Sequence, residues 1–210
     1  MKIHEPIKDM RLALFPTGDV TQWFGENANL YKALGMLSHN GLDLVRPHGE
    51  HMFATEDGTV VDVKDTPEGY GKHLRILSSD GRREWTYGHC ADIWVKQNQK
   101  VKGGQFIARM GNTGFVVSGN TPYWGHNPYA GTHLHLGLRM TRLDTKGWSY
   151  PGSTLKFIVL NHSNGHYGSI DPLPHLRDQS LFSTRVENYA REHNHKAFMG
   201  MSVGLRQLGY

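Results

Sequence analysis

Gly131-Thr132-His133-Leu134-His135-Leu136-Gly137-Leu138-Arg139 alternates along most of its length, and that alternation decides how the chain reads. Side chains two apart on a strand point to the same face. Leu134, Leu136 and Leu138 then face a core, while His133 and His135 share the opposite side. The two histidine Cα atoms would lie about 6.6 Å apart, so one imidazole can hold a metal ion while the other reaches water or a substrate. A His-x-His pair also has a plainer reading, as two packed or solvated side chains among the 14 histidines present.

The same strand-like rhythm extends outward. Residues 59–63, 73–77, 84–87, 105–110, 133–139 and 157–160 read as short strands. Asp57-Gly58, Ser79-Asp80-Gly81, Gly103-Gly104 and Gly131 punctuate them, and Asp171-Pro172 with Pro174 ends the β-region. Turn signals at this spacing predict antiparallel hairpins, and 25 glycines with 9 prolines agree. The expected fold is mainly β, an antiparallel sheet domain over residues 1–175 with its core at about 18–175. Residues 176–210 form a C-terminal extension packed on that domain. Val186, Tyr189 and Ala190 among charged neighbours predict an amphipathic helix at about 183–196. Residues 115–131 break the rhythm as a long polar loop bearing Tyr123, Trp124 and Tyr129. A loop of that length in a compact domain is usually functional or disordered.

The net charge of +4 favours anionic surroundings without choosing among nucleic acid, membrane surface and cell wall. No basic, aromatic-interleaved motif marks a nucleic-acid binder. No window approaches the roughly 18 apolar residues of a membrane span. Residues 1–16 lack an apolar stretch of signal-peptide length, so the expectation is a soluble protein that something else delivers. A single cysteine, Cys90, excludes an internal disulfide.

Two further segments carry chemistry. In Ser38-His39-Asn40-Gly41-Leu42-Asp43, an extended chain would separate His39 from Asp43 by about 13 Å, too far to share an ion. Gly41 argues against a helix and permits a bend that brings them together. Imidazole plus carboxylate is a normal zinc pair, though a surface turn capped by Asp43 also accounts for the segment. In Trp85-Thr86-Tyr87-Gly88-His89-Cys90, neighbouring strand residues point to opposite faces, so His89 cannot readily activate Cys90, which reads as core. Together these groups suit a catalytic zinc, which keeps one position open, and one cysteine is too few for a closed structural site.

His39-x-x-x-Asp43, Tyr87-Gly88-His89 and His133-x-His135, in this order, resemble the signature of lysostaphin/LytM-type zinc endopeptidases. Thr21-Gln22-Trp23-Phe24-Gly25, Gly111-Asn112-Thr113-Gly114 and Ile170-Asp171-Pro172-Leu173 are similar to flanking segments of that family. The resemblance implies an antiparallel β-domain with a substrate groove and one zinc ion held by His39, Asp43 and His135. It implies catalysis by His89 and His133; of the two, His133, two residues from a ligand, is the expected general base and His89 the expected donor to the oxyanion. Cross-links or bridges between peptidoglycan stem peptides would be hydrolysed through a water that the metal activates. Asn112, Tyr123, Trp124 and Tyr129 are candidate substrate contacts, and a monomer is expected. The chain departs from the family in its longer loop 115–131, in Gly137 where Glu is frequent, and in Cys90 where Leu is common. Residues beyond 176 have no counterpart. The rival expectation is an inactive wall-binding or regulatory module of the same fold. A phage structural protein that also cuts the wall is a variant, which suits a chain lacking a signal peptide and a wall-anchoring repeat.

Overall fold

A computed structural model describes residues 2–12, 18–118, 121–122 and 128–176. In chain order its elements are β1 (Val20–Gln22), α1 (Ala28–Lys32), β2 (Leu42–Leu44), β3 (His51–Phe53), β4 (Gly58–Lys64), β5 (His73–Ser78) and β6 (Arg83–Gly88). There follow β7 (Cys90–Ile93), β8 (Lys100–Val101), β9 (Phe106–Met110), β10 (Val117–Ser118), β11 (Thr121–Pro122), β12 (Leu134–Trp148), β13 (Phe157–Val159) and β14 (Ser169–Ile170).

Among the described residues the main sheet runs β1-β2-β12-β6-β5-β4-β8, with β13 and β14 also paired to β12. A second sheet, β3-β9-β7, lies apart from it. Every pairing is antiparallel. The β5–β6 hairpin turns at Ser79-Asp80-Gly81, as expected, while the β4–β5 connection runs through residues 65–72, where no turn was expected. One core joins the two sheets: Leu134, Leu136, Leu138, Trp85, Tyr87, Leu74 and Ile76 from the first, Met52, Ile107 and Met110 from the second. Burying each large apolar side chain contributes about 1.5–3 kcal/mol, and this fixes which face of β12 turns inward.

The other face follows from the same register. His135 pairs with Asp43 on one side and Gly88 on the other; Gly137 pairs with Thr86, and Arg139 with Glu84. Period-two alternation therefore collects His135, Asp43, Arg139 and Glu84 on one side of the sheet, separated along β12 by a glycine.

The mainly β expectation holds, with two differences. β12 runs to Trp148, nine residues beyond the expected end at 139, pairing there with β13. Its second half is largely exposed and polar, so it has no alternating signature to read. Strands β2 and β3 have three residues each, too short to establish a period. Gly41 is not in a left-handed conformation. Its value is closeness: a Cβ there would meet His135 Cε1 at 2.5 Å and the Leu136 carbonyl oxygen at 2.7 Å. The expected helix at 183–196 lies outside the described residues.

Candidate metal centre and groove

Strand β2 ends the bend after His39, and the β2–β12 register sets Asp43 opposite His135. His39 Nε2 lies 3.1 Å from Asp43 Oδ1 and 3.1 Å from His135 Nδ1. His135 Nδ1 is 3.0 Å from the same carboxylate oxygen. All three residues are buried. Zinc ligands at about 2.0–2.1 Å in a tetrahedral shell stand about 3.3 Å apart, so this nearly equilateral triangle of two nitrogens and one oxygen fits the ion. His39 Nδ1 donates to the Trp23 carbonyl at 2.9 Å, which leaves the Nε2 lone pair facing the triangle. His135 Nε2 is buried without a hydrogen-bond partner, pressed against Gly41 where a side chain could not fit.

The electrostatics follow the crowding. Burial would raise the Asp43 pKa, but the charges of His39 and His133 and hydrogen bonds from His135 and His39 hold it well below the usual carboxylate range. Burial would lower His39, and the adjacent Asp43 outweighs it and raises the pKa. Burial pushes His135 down to about 4, against the pull of Asp43.

Beside the triangle stand two more imidazoles. His133 Nδ1 donates to the Gly131 carbonyl at 2.7 Å, and His89 Nδ1 donates to the Thr113 carbonyl at 2.7 Å. Their ring centroids are 4.6 Å apart, and His133 Nε2 lies 3.7 Å from Asp43 Oδ2. His89 interrupts the chain between β6 and β7 in a left-handed conformation (φ 59°), and the Tyr70 carbonyl accepts from its backbone N–H. Burial holds its pKa well below the ordinary histidine range, and His133 and His135 lower it further. Between the walls runs a groove of about 1020 Å³ lined by Asp43, Tyr70, His89, His133 and His135, among others, and not by His39.

Residues 37–146 match peptidase family M23. The chain belongs to peptidase family M23. Its relatives include the peptidoglycan DD-endopeptidase ShyB of Vibrio cholerae, 35% identical over 141 residues, which cover 67% of this chain and 30% of that protein. The murein hydrolase activator NlpD of Escherichia coli (strain K12) is 34% identical over 101 residues, 48% of this chain and 24% of the other. Among solved structures, a zinc-containing peptidase from Vibrio cholerae is 27% identical with a TM-score of 0.50, covering 67% of this chain and 37% of that one. The chain thus spans less than a third of the length of these two curated relatives.

Within the M23 domain, the structure brings His39, Asp43, His89, His133 and His135 together. Asn112 is engaged locally: its side-chain amide donates to the Pro128 and Ala130 carbonyls at 2.9 and 2.8 Å, tying down the end of the long loop. Tyr129 is exposed, with its ring 4.7 Å from that of His48. Tyr123 and Trp124 lie outside the described residues. Cys90 is fully buried, and burial drives its thiol pKa far up, so it is core as expected.

Some groove residues carry no sequence signal. Tyr70 lies 4.9 Å from the His135 ring, and its hydroxyl accepts from the Asn40 amide at 2.7 Å. Tyr31 lies 5.4 Å from His39 and donates to Gln22. Both sit in irregular or very short segments where no periodicity could mark a face. The turn-rich run Asp65-Thr66-Pro67-Glu68-Gly69-Tyr70-Gly71 was the one available hint. No helix among the described residues is long and apolar enough to cross a membrane.

Proposed function

We propose that this M23 domain is a zinc-dependent endopeptidase that hydrolyses the peptide cross-links of bacterial peptidoglycan. The observation that carries the reading is the buried His39–Asp43–His135 triangle, open on one side to a groove where His89 and His133 converge. Bound zinc supplies a Lewis acid for the scissile carbonyl and lowers the pKa of water at the site.

The chain's own residues handle the protons. Because His133 Nδ1 donates to a backbone carbonyl, the neutral ring carries its lone pair on Nε2, the nitrogen nearer Asp43. This Nε2 takes the proton of the attacking water. The water oxygen bonds to the carbonyl carbon, the C–N bond breaks, and the proton passes to the leaving amine nitrogen. His89 has the same backbone tether, so its neutral Nε2 is an acceptor; it donates to the oxyanion when the proton taken from the water passes to it from His133, and that same proton goes on to the leaving amine nitrogen. The second imidazole thus serves as a further proton station beside the first. Asp43 keeps its charge at neutral pH, which holds both ligand histidines in place.

A second reading, a wall-associated activator without activity of its own, is favoured by the similarity to NlpD. Against it stands the full set of two histidines and one aspartate in ligand geometry, with both further histidines present. Purified sacculi with direct and with glycine-bridged cross-links, incubated with zinc-loaded protein with and without chelator, separate the two. Chelator-sensitive release of cut fragments, identified by mass spectrometry, is the expected result. Intact sacculi of both kinds, with zinc shown to be bound, would establish the activator reading instead.

A further inference from the structure

We infer that the groove selects cross-links with no free carboxylate beside the scissile bond, either neutral bridges or stems whose acid is amidated. The inference rests on the endopeptidase reading and names the substrate of that site. Among the described lining residues, Asp43 is the one Asp, Glu, Lys or Arg, and its charge is turned into the ligand triangle. Much of the lining comes from residues 27–40, and Phe115, Val116 and Gly131 add to it. Residues 27–40 contain one charged residue, Lys32, and residues 115–131 contain none, in a chain that is 20% charged. Lys32 itself does not line the groove.

The walls offer amides and apolar surface instead. Helix α1 buries none of its residues. Leu30 and Leu34 are 40% and 45% exposed, Phe115 46%, and Asn27 and Asn29 stand beside them. A helix with no buried face is stabilised little by the core, so its apolar side chains are available to a ligand. Amide groups complement peptide N–H and C=O groups. A carboxylate drawn into such a groove loses hydration without gaining a guanidinium or ammonium partner, whereas a carboxamide finds both donors and acceptors. In a direct D-Ala to diaminopimelate cross-link, the free acid sits one carbon from the scissile nitrogen, where it must enter the groove.

The test uses two synthetic cross-linked peptides that differ in that one group, free acid in one and carboxamide in the other. Zinc-loaded protein should cleave the carboxamide with a kcat/KM at least about tenfold higher, expressed chiefly in KM. The same ranking should appear in the Kd of both peptides for zinc-loaded His133→Ala protein. Leu34→Arg, an exposed substitution, should narrow the gap by raising cleavage of the free acid. Equal rates, a preference for the free acid, or an unchanged gap in Leu34→Arg would overturn the inference and leave the endopeptidase reading standing. Failure to cleave either peptide would overturn both.

Discussion

Two polar clusters lie on the same face of β12, two register steps apart, and they differ in how their polar groups are paired. At the Arg139 end, buried Glu84 accepts from Arg75 at 3.2 Å, from Arg139 and from the Tyr150 hydroxyl, while Arg75 and Arg139 keep most of their own length covered. Asp62, 3.8 Å from Arg75 Nε, supplies a second carboxylate for the two guanidiniums, and Phe157 with Trp148 packs against Tyr150. At the His135 end, three ligand-type atoms crowd within 3.1 Å, one buried ring nitrogen has no partner, and the groove stays open. Burial and strand position are alike, and each cluster keeps one buried nitrogen without a hydrogen-bond partner, Arg75 Nε in the first and His135 Nε2 in the second. The difference is in the groups: guanidinium–carboxylate pairs read as structure, and two imidazoles with a carboxylate at ligand spacing beside an open groove read as a place for an ion.

The comparison can be broken most sharply at His135. His135→Ala should abolish zinc retention and drop peptidoglycan cleavage by more than about 10⁴-fold, a loss on the scale of removing a central catalytic group. Metal content after dialysis and fragment release measure both, and retained stoichiometric zinc would sink the ligand assignment. A smaller effect is expected one alternate position away. His133→Ala should lower turnover by about 10²–10⁴-fold with zinc still bound; loss of the ion from this variant would move His133 among the ligands. Smallest for activity is Glu84→Gln, which leaves Arg75 and Arg139 without their shared counter-charge. Stability should fall by about 3 kcal/mol in urea titration, while zinc content and activity in the folded protein stay as in the parent. If zinc were lost instead, the two clusters would be one coupled network rather than neighbours with separate tasks.

How much of this was legible beforehand depended on period and length. The segment 131–139 announced its strand and its faces, because three leucines alternate with His133 and His135. Its neighbour β6, and β5 beyond it, are long enough, at six residues each, to be read the same way. Strand β2 was not, at three residues, although its Leu-Asp-Leu alternation is what turns Asp43 toward His135. Gly41 lies at the bend that the sequence suggests, and it has a second task there. The bend needs no left-handed backbone there; the His135 ring needs the space. Tyr70 and Tyr31 were not foreseen, since both approach the site from segments whose course only packing sets.

The sequence by itself determined the β class, the inward face of β12, and a set of polar residues with the chemistry of a metal site, because alternation and side-chain chemistry are local properties. It also determined that residues 115–131 bring no Asp, Glu, Lys or Arg to the groove. Only the tertiary structure decided that residues 39, 43 and 135 meet within 3.1 Å while Glu84 and Arg139 close on each other. Those are consequences of register across strands distant in sequence. One-residue slips of β2 or β6 against β12 would exchange the faces and dissolve both clusters.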